Sequence, residues 1–321
     1  MRILVTGSSG HLGEALVSTL RADGHDTVGL DLLPSPTTDF VGSIGDQSTV
    51  RRALHGVRAV LHTATLHQPH ARSATRQAYV DTNVTGTLVL LEQALAQGID
   101  RFVFTSTTST FGRALIPGEG APAAWITEDT VPLPRNIYGV AKVAAENVCE
   151  LIHRDSGLPI VILRTSRFFP EPDDDPEINA YGLGNVQANE MLYRRVDLAD
   201  VVQAHRCALD RVPEIGFGRY IVSATTPFTR ADLASLRSSA PAVVRRLYPD
   251  FDSRYAERGW RMFPGINRVY DNARARAELR WDPEYDFARL LRSLANGEDP
   301  RSPLAVAVGS KGYRRVPVPW L

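Results

Sequence analysis

Apolar and polar positions along the first half of the chain predict strands and helices in alternation. The short apolar runs have the length of buried strands and lie at residues 2–6, 26–30, 59–62, 101–106 and 159–163. The segments between them carry apolar side chains at helical spacing, at residues 12–22, 73–97 and 136–154. Strands that alternate with helices pair in parallel, so the pattern predicts an α/β fold with a doubly wound parallel sheet.

The first strand leads into a glycine-rich turn, Gly7-Ser-Ser-Gly10-His-Leu-Gly13, that opens the first helix. Such a turn exposes backbone amides and lets a pyrophosphate approach closely. The second strand ends on Asp31, whose carboxylate can accept hydrogen bonds from both ribose hydroxyls of an adenosine. The same carboxylate would repel a 2′-phosphate. The turn and Asp31 therefore predict NAD as cofactor in a Rossmann-type fold.

The clear alternation ends near residue 165, where a loop rich in proline and aspartate begins. Shorter mixed elements follow it. We therefore expect residues 1–165 to form an NAD-binding domain that carries the catalytic residues. Residues 166–321 are expected to form mainly a substrate-binding region, with some segments returning to the core.

Composition and charge narrow the function classes further. The formal net charge is zero and the arginines are scattered, which gives no reason to expect nucleic acid or a membrane as partner. No apolar run has the length of a membrane span, and the first strand begins at residue 2. A cytoplasmic protein is the resulting expectation. His62, His67, His70 and the acidic loop at 171–177 lack the ligand spacing of a metal site, so no metal is expected.

Lysine is rare in this chain, which has two lysines against 34 arginines, and Lys142 follows Tyr138 by four residues. Arginine is a poor substitute where a compact point charge must fit tightly. On a helix this spacing places the phenol and the ammonium on one face. The ammonium is expected to lower the phenol pKa from near 10 toward neutrality, which would make an acid–base pair. Taken alone, this spacing more often marks a surface aromatic beside a surface cation.

Together these motifs resemble the extended short-chain dehydrogenases/reductases of the NAD-dependent epimerase/dehydratase family, over nearly the whole chain. Residues 102–112 resemble the strand end that carries the catalytic serine or threonine, which assigns that role to Thr107 beside Tyr138 and Lys142. For Asn83, a structural role between helix and sheet and a role in solvent or proton relay both stay open. The resemblance implies that NAD is contacted by Gly7, Gly10, His11, Leu12, Gly13, Asp31, Asp46, Thr63, Ala64, Asn83, Tyr138 and Lys142.

The resemblance also implies hydride transfer at a secondary alcohol, with Tyr138 moving the hydroxyl proton and Thr107 holding the oxygen. Thr108 and Ser109 stand where dehydratases and decarboxylases of the family have an acid, which disfavours elimination. Arg167 lies in a stretch that resembles uronate dehydrogenases, and Arg261 roughly fits where epimerases bind a diphosphate. The substrate contacts expected on this basis are Thr65, Thr107, Thr108, Arg167 and Arg261.

The sequence leaves several outcomes of this chemistry open. A net dehydrogenase acting on a sugar or sugar acid is the first, and a sugar or nucleotide-sugar epimerase resembling UDP-glucose 4-epimerase is the second. Another carbonyl reduction within the family follows, and a non-catalytic NAD-binding regulator is the distant alternative. The two long helices at 73–97 and 136–154 also predict a homodimer, as in relatives.

Overall fold

The structure is a computed structural model that describes residues 1–67, 74–172 and 175–311. Within these residues, seven parallel strands form one sheet in the order β3-β2-β1-β4-β5-β7-β8, and β6 and β9 pair in a separate parallel sheet. The strands are β1 (Arg2–Thr6), β2 (Asp26–Asp31), β3 (Phe40–Val41), β4 (Ala59–His62), β5 (Arg101–Thr107), β6 (Ala124–Ile126), β7 (Ile160–Thr165), β8 (Phe217–Val222) and β9 (Arg268–Tyr270). The predicted α/β fold is confirmed.

The order of strands fixes where a ligand can bind. From β1 the chain winds first toward β2 and β3, then crosses to β4 and continues outward to β8. β1 and β4 are neighbours, with Thr6 beside His62 in register. Their carboxyl ends flank the point where the winding reverses, which is where parallel sheets of this kind form a binding crevice.

The helices pack against this sheet and around a second apolar cluster. They are α1 (His11–Ala22), α2 (Gln47–Ala53), α3 (Arg76–Val80), α4 (Gly86–Ala96), α5 (Ile137–Ser156), α6 (Pro176–Asn179), α7 (Leu183–Glu190), α8 (Leu198–Ile215), α9 (Leu233–Leu247), α10 (Phe251–Ala256), α11 (Ala273–Leu279), α12 (Phe287–Ala295) and α13 (Pro303–Val308). A π-helical turn at Asp81–Thr85 joins α3 to α4, so the helix predicted at 73–97 is interrupted in its middle. Its predicted start at residue 73 lies outside the described residues.

Alternate side chains of each strand enter two different apolar layers. Ile3 and Val5 of β1 pack with α1 and α8 on one face, whereas Leu4 packs with α2, α4 and α5 on the other. Both faces of the sheet are therefore covered, which explains why the strands read as continuous apolar runs rather than as alternating ones.

Residues beyond 165 contribute to both parts of the molecule. A separate apolar cluster is built from α7, α9, α10 and α12. β8, α8 and α11 pack instead on the main sheet, so these late segments complete the core begun by the first half. Among the helices in the described ranges, none combines the length and the apolar character needed to cross a membrane.

The glycine turn after β1 is packed so closely that side chains are excluded. Gly7 has φ 71°, and a β-carbon there would lie 2.8 Å from the amide nitrogen of Ala64. A β-carbon on Gly13 would lie 1.9 Å from the carbonyl oxygen of Gly7. The first turn of α1 therefore rests directly on the backbone of the strand exit.

Substituting Gly13→Ala is expected to force α1 away from the turn and to lower the free energy of unfolding by about 1–3 kcal/mol, the range for overpacking a filled site. Urea unfolding of the purified variant measures this change. Gly118→Ala is the matched control, because a β-carbon there meets no heavy atom within 4 Å. Equal stability of the two variants would contradict the packing argument.

Candidate functional site

A cavity of about 1150 Å³ opens at the carboxyl ends of β1, β4, β5 and β7. Sites for a single small ligand have typical volumes of about 300–1,000 Å³, so this cavity has room for a dinucleotide and a second molecule. Its wall combines the glycine turn, the ends of β4 and β5, and late residues such as Phe263 and Arg268. Both halves of the chain thus form one site.

The cofactor side of the cavity is built around the glycine turn. Asp31 accepts hydrogen bonds from the backbone amides of Ser9 (3.1 Å) and Leu33 (2.9 Å), which fixes its carboxylate beside the turn. His11 stacks on Phe168 with 5.9 Å between ring centres, and burial lowers the pKa of its imidazole. The expected cofactor residues that line the cavity are Gly7, Gly10, His11, Leu12, Gly13, Asp31, Thr63, Ala64, Tyr138 and Lys142.

Asp46, which is expected to contact the cofactor, lies at the start of α2. Its carboxylate caps the N-terminus of α2 by accepting from the Ser48 amide (3.0 Å) and the Thr49 hydroxyl (2.6 Å), and it does not line the cavity. These hydrogen bonds, that of Thr49 foremost, lower the pKa of Asp46. Ser43 and Ile44 line the cavity instead. An acid at a helix start is also a helix cap, so the contact of Asp46 with the cofactor stays a prediction.

Asn83 is likewise not part of the cavity wall and is buried in the π-helical turn. Its amide oxygen accepts from the Leu66 backbone amide (2.8 Å) and the Thr65 hydroxyl (3.0 Å), and its amide nitrogen donates to the Leu66 carbonyl (3.0 Å). These hydrogen bonds support the structural role of Asn83, and its contact with the cofactor stays a prediction. It fixes residues 65 and 66, which do line the cavity.

His62 forms the centre of a buried hydrogen-bond chain below the cofactor side. Thr87 donates its hydroxyl proton to the Asn83 carbonyl (2.8 Å), so it must accept from Nε2 of His62 (3.0 Å). Nδ1 then accepts from the Thr6 hydroxyl (2.7 Å). Burial, with a smaller contribution from the Lys142 ammonium, lowers the pKa of His62 to about 3. The imidazole is a neutral structural group, with both nitrogens engaged.

Tyr138 and Thr107 lie together in the cavity wall. The side chain of Asn136 caps α5 by accepting from the Gly139 amide (2.9 Å), which places Tyr138 in the first turn of the helix. Tyr138 is buried and shares a hydrogen bond with Thr107. Burial raises the pKa of the phenol above its ordinary value, while the bond with Thr107 acts in the opposite direction.

Lys142 lies on the same face of α5 and is almost fully buried. Its ammonium donates to the Thr105 carbonyl (2.7 Å) and stands 4.2 Å from the centre of the Phe104 ring. Burial lowers the pKa of Lys142 to about 8, against the effect of Glu146. The expectation that Lys142 lowers the Tyr138 pKa toward neutrality was wrong for this state, because burial of the phenol dominates.

Glu146 follows Lys142 on α5 by four residues, the same spacing that separates Lys142 from Tyr138. Its carboxylate accepts from Arg164 through Nε (3.1 Å) and Nη2 (2.7 Å), and from the hydroxyl of Ser106 on β5. These side chains are almost fully buried. Sequence reasoning missed this group, although the spacing of Tyr138, Lys142 and Glu146 indicates it.

The two arginines expected to bind substrate differ in position. Arg167 lines the cavity, but its Nη2 donates to the carbonyls of Glu171 (2.8 Å) and Pro172 (2.7 Å). Arg261 is exposed and lies over the ring of Tyr181 at 4.3 Å without lining the cavity itself, and its contact with substrate stays a prediction. Thr65, Thr107 and Thr108 line the cavity as expected, and Arg194 and Arg268, which the sequence had not indicated, do so as well.

Metal binding finds no support in the part of the chain that is described, where no three histidine, cysteine or acidic side chains are grouped to hold an ion. His62 is engaged in its hydrogen-bond chain, and His67 packs edge-on against Tyr138 and Phe169. His70 lies outside the described residues.

Fold and site together define an NAD-binding α/β protein of the Rossmann type. The model of the NAD dependent epimerase/dehydratase family matches residues 3–220. The chain belongs to this family, and it is an NAD-dependent enzyme of the extended short-chain dehydrogenase/reductase class.

Full-length relatives extend the comparison. UDP-glucose 4-epimerase of Rhizobium meliloti (strain 1021) is 29% identical over 94% of this chain and 98% of its own. Among solved structures, a short-chain dehydrogenase/reductase superfamily protein from Agrobacterium tumefaciens with bound NAD is 26% identical. The superposition covers 92% of this chain and 96% of the Agrobacterium tumefaciens chain, with a TM-score of 0.66. UDP-glucose 4-epimerase of Thermus thermophilus, solved with NAD, shares the fold at 22% identity and a TM-score of 0.64, over 92% and 98% of the two chains.

The neutral His62 predicts a pH dependence of stability. Its folded-state pKa of about 3 lies below its ordinary value of 6.5, so protonation favours the unfolded chain. The contribution of the neutral His62 imidazole to the free energy of unfolding is complete above pH 6.5 and is lost as the pH falls toward 3. Between pH 7.5 and 5.5 the loss is expected to be about 1.4 kcal/mol.

Urea unfolding of the wild-type protein and of His62→Gln at both pH values measures this loss, since glutamine does not titrate. The wild-type protein is expected to lose about 1.4 kcal/mol more than the variant. His55→Gln, at an exposed histidine, is the control and should keep the wild-type dependence. The same dependence in all three proteins would contradict the assignment.

Proposed function

We propose that this enzyme transfers a hydride between NAD and a secondary alcohol of a sugar-type substrate, with Thr107, Tyr138 and Lys142 as its catalytic residues. The observation that carries the proposal is the single cavity wall in which these three side chains meet beyond an NAD-type glycine turn. A binding-only role is disfavoured, because a regulator would not need a buried phenol and a buried ammonium facing a second-ligand space.

The residues present fit NAD. Gly7 and Gly13 let α1 begin directly on the backbone of the strand exit, and the first backbone amides of α1 can then bind a pyrophosphate. Asp31 lies beside the turn, where its carboxylate can accept hydrogen bonds from the hydroxyls of the adenosine ribose. Lys142 uses one of its three donors on the Thr105 carbonyl, so two others can reach the nicotinamide ribose. Bound NAD supplies the hydride acceptor at C4 of its nicotinamide.

The proton path follows from the buried phenol. Because burial raises its pKa, Tyr138 holds its proton at neutral pH and can donate it to a substrate carbonyl oxygen in the direction of reduction. This donation leaves a phenolate, which the Lys142 ammonium on the same helix face stabilises. In the direction of oxidation the phenolate takes the hydroxyl proton of the substrate and becomes the phenol again. Thr107 holds the same substrate oxygen through its hydroxyl.

We favour epimerisation through a transient ketone as the net outcome, a change from the order that the sequence alone suggested. The full-length similarity to a UDP-glucose 4-epimerase supports it. So does a bridge of late residues at the cavity rim, where Lys311 pairs with Glu14 of α1 (2.7 Å) and Ser310 donates to Glu171 (2.7 Å). A cofactor retained behind this bridge suits a reaction that returns its hydride.

A net sugar dehydrogenase is the second candidate. The NAD-dependent glucose-6-phosphate dehydrogenase of Haloferax volcanii is 27% identical to this chain. The match covers 50% of this chain and 66% of that protein. Elimination is disfavoured, because Thr108 and Ser109 follow Thr107 in the cavity wall and carry no carboxylate. The homodimer stays a prediction; Val140 and Leu151 on the exposed side of α5 are consistent with it.

The Tyr138→Phe variant is expected to bind NAD as the wild-type protein does and to lose roughly 10²–10⁴-fold in kcat, because it removes the proton carrier alone. Steady-state kinetics and NAD titration measure the two effects. Tyr255→Phe is the matched control, since its buried phenol bonds to Asn189 away from the cavity. Unchanged turnover in Tyr138→Phe would refute the assignment.

Incubation of the enzyme with UDP-glucose or UDP-galactose in D₂O tests the net outcome by nuclear magnetic resonance and absorbance. Epimerisation is expected to give the 4-epimer without solvent deuterium, because the hydride returns from the cofactor, and without net NADH. In a parallel incubation with NAD and a free sugar or sugar acid, stoichiometric formation of NADH would establish the dehydrogenase instead.

A further inference from the structure

Both lysines of the chain line the cavity. Only four of the arginines in the described residues do so, although arginine outnumbers lysine by 34 to two. Lys142 belongs to the proposed catalytic group, whereas Lys311 has no part in it. A lysine ammonium is a compact point charge on a flexible stem, with three donors that can serve different oxygens. The position of Lys311 therefore indicates a site that uses its ammonium.

Helix α13 brings Lys311 to the edge of the cavity. The buried Val308 at the end of this helix packs in the same apolar cluster as Leu16 of α1. Gly309 follows with φ 60°, a backbone conformation that ends the helix and turns the chain. Ser310 and Lys311 therefore reach the cavity from a helix that is fixed against α1.

Two side-chain contacts hold the segment 310–311 between α1 and the loop after β7. The Lys311 ammonium pairs with Glu14 at 2.7 Å, and the Ser310 hydroxyl donates to Glu171 at 2.7 Å. Glu14 lies in the first turn of α1, where its backbone amide donates to the Gly10 carbonyl (2.9 Å). The ammonium is thus held beside the helix turn whose amides face the cofactor.

The charges around His11, the first residue of α1, are mainly negative. The strongest electrostatic effects on its pKa come from Glu171, Lys311, Glu14 and Asp197, and Lys311 is the one cation among these four. Burial lowers the pKa of the imidazole, so His11 is itself neutral at pH 7. The three acids would repel a pyrophosphate at the start of α1. The Lys311 ammonium can offset this repulsion.

We propose that Lys311 binds the pyrophosphate of NAD, so that the segment 310–311 holds the cofactor in its cavity. Glu14 occupies one of the three ammonium donors, and the other two can reach phosphate oxygens. Glu14 and the phosphate then compete for one cation. This inference concerns cofactor binding and does not depend on the proposed hydride transfer.

The rate at which NADH leaves the protein measures this contact without any sugar. The protein is loaded with NADH, separated from excess by gel filtration and mixed with excess NAD, and the fall in nicotinamide fluorescence gives the dissociation rate. Lys311→Gln is expected to release NADH roughly tenfold faster. This is the lower end of the effect of a hydrogen bond between charged groups, because the Lys311 side chain is partly exposed.

Glu14→Gln distinguishes a phosphate contact from a simple bridge. If Lys311 only tied the segment to α1, the loss of either partner would release NADH equally fast. With the proposed contact, Glu14→Gln frees the ammonium and removes a repelling carboxylate, so NADH release should be as slow as in the wild-type protein or slower. Arg301→Gln is the matched control and should keep the wild-type rate, because this late cation pairs with Asp299 and does not line the cavity.

Equal acceleration of NADH release in Lys311→Gln and Glu14→Gln would overturn the proposal. A wild-type rate in Lys311→Gln would overturn it as well, and so would failure of the wild-type protein to retain NADH. Thermal unfolding of each variant shows whether faster release reflects a loss of fold. Absence of turnover with every sugar would refute the proposed function and leave the lysine contact standing, because the release rate is measured without substrate.

Discussion

The buried ion pair between Glu146 and Arg164 is the interaction on which the geometry of the site depends. It joins the middle of α5 to β7, and the bond from Ser106 ties the same carboxylate to β5. Burying two charges is tolerable only where each is paired and hydrogen-bonded, so α5 has little freedom to rotate about its axis. Since Tyr138 and Lys142 lie about two turns and one turn before Glu146, their direction into the cavity is fixed by an ion pair that does not itself line the cavity.

Burial disfavours the charged form of both Tyr138 and Lys142, the two side chains proposed to act on the substrate proton. Burial raises the pKa of Tyr138 and lowers that of Lys142, because in both cases it disfavours the charged form. The phenol is therefore neutral at pH 7, whereas the ammonium, with a pKa of about 8, still holds its proton. In this protonation state Tyr138 can give its proton to a carbonyl oxygen. For oxidation, Tyr138 must first lose that proton.

Much of the fold and of the cofactor side could be predicted from the sequence, because both rest on short-range patterns. The strands, the glycine turn and the face shared by Tyr138 and Lys142 depend on residues a few positions apart. The hydrogen bonds and ring contact of Asp46 and Arg261 could not be predicted from the sequence, because an acid or an arginine in a loop has many possible partners. Arg194 and Arg268 were not indicated, since only tertiary packing shows which of the 34 arginines line the cavity. The pKa of Tyr138 likewise depends on burial that no spacing reveals.

The bridge from Lys311 to Glu14 has a consequence for the order in which the molecule is made. The glycine turn leaves the ribosome long before Ser310 and Lys311, which lie far beyond it in the sequence. Contacts of such long sequence separation form late in folding. A nascent chain can build the sheet around β1 well before the rim is closed, so cofactor can enter an open site during synthesis and be enclosed only when the last helices have docked.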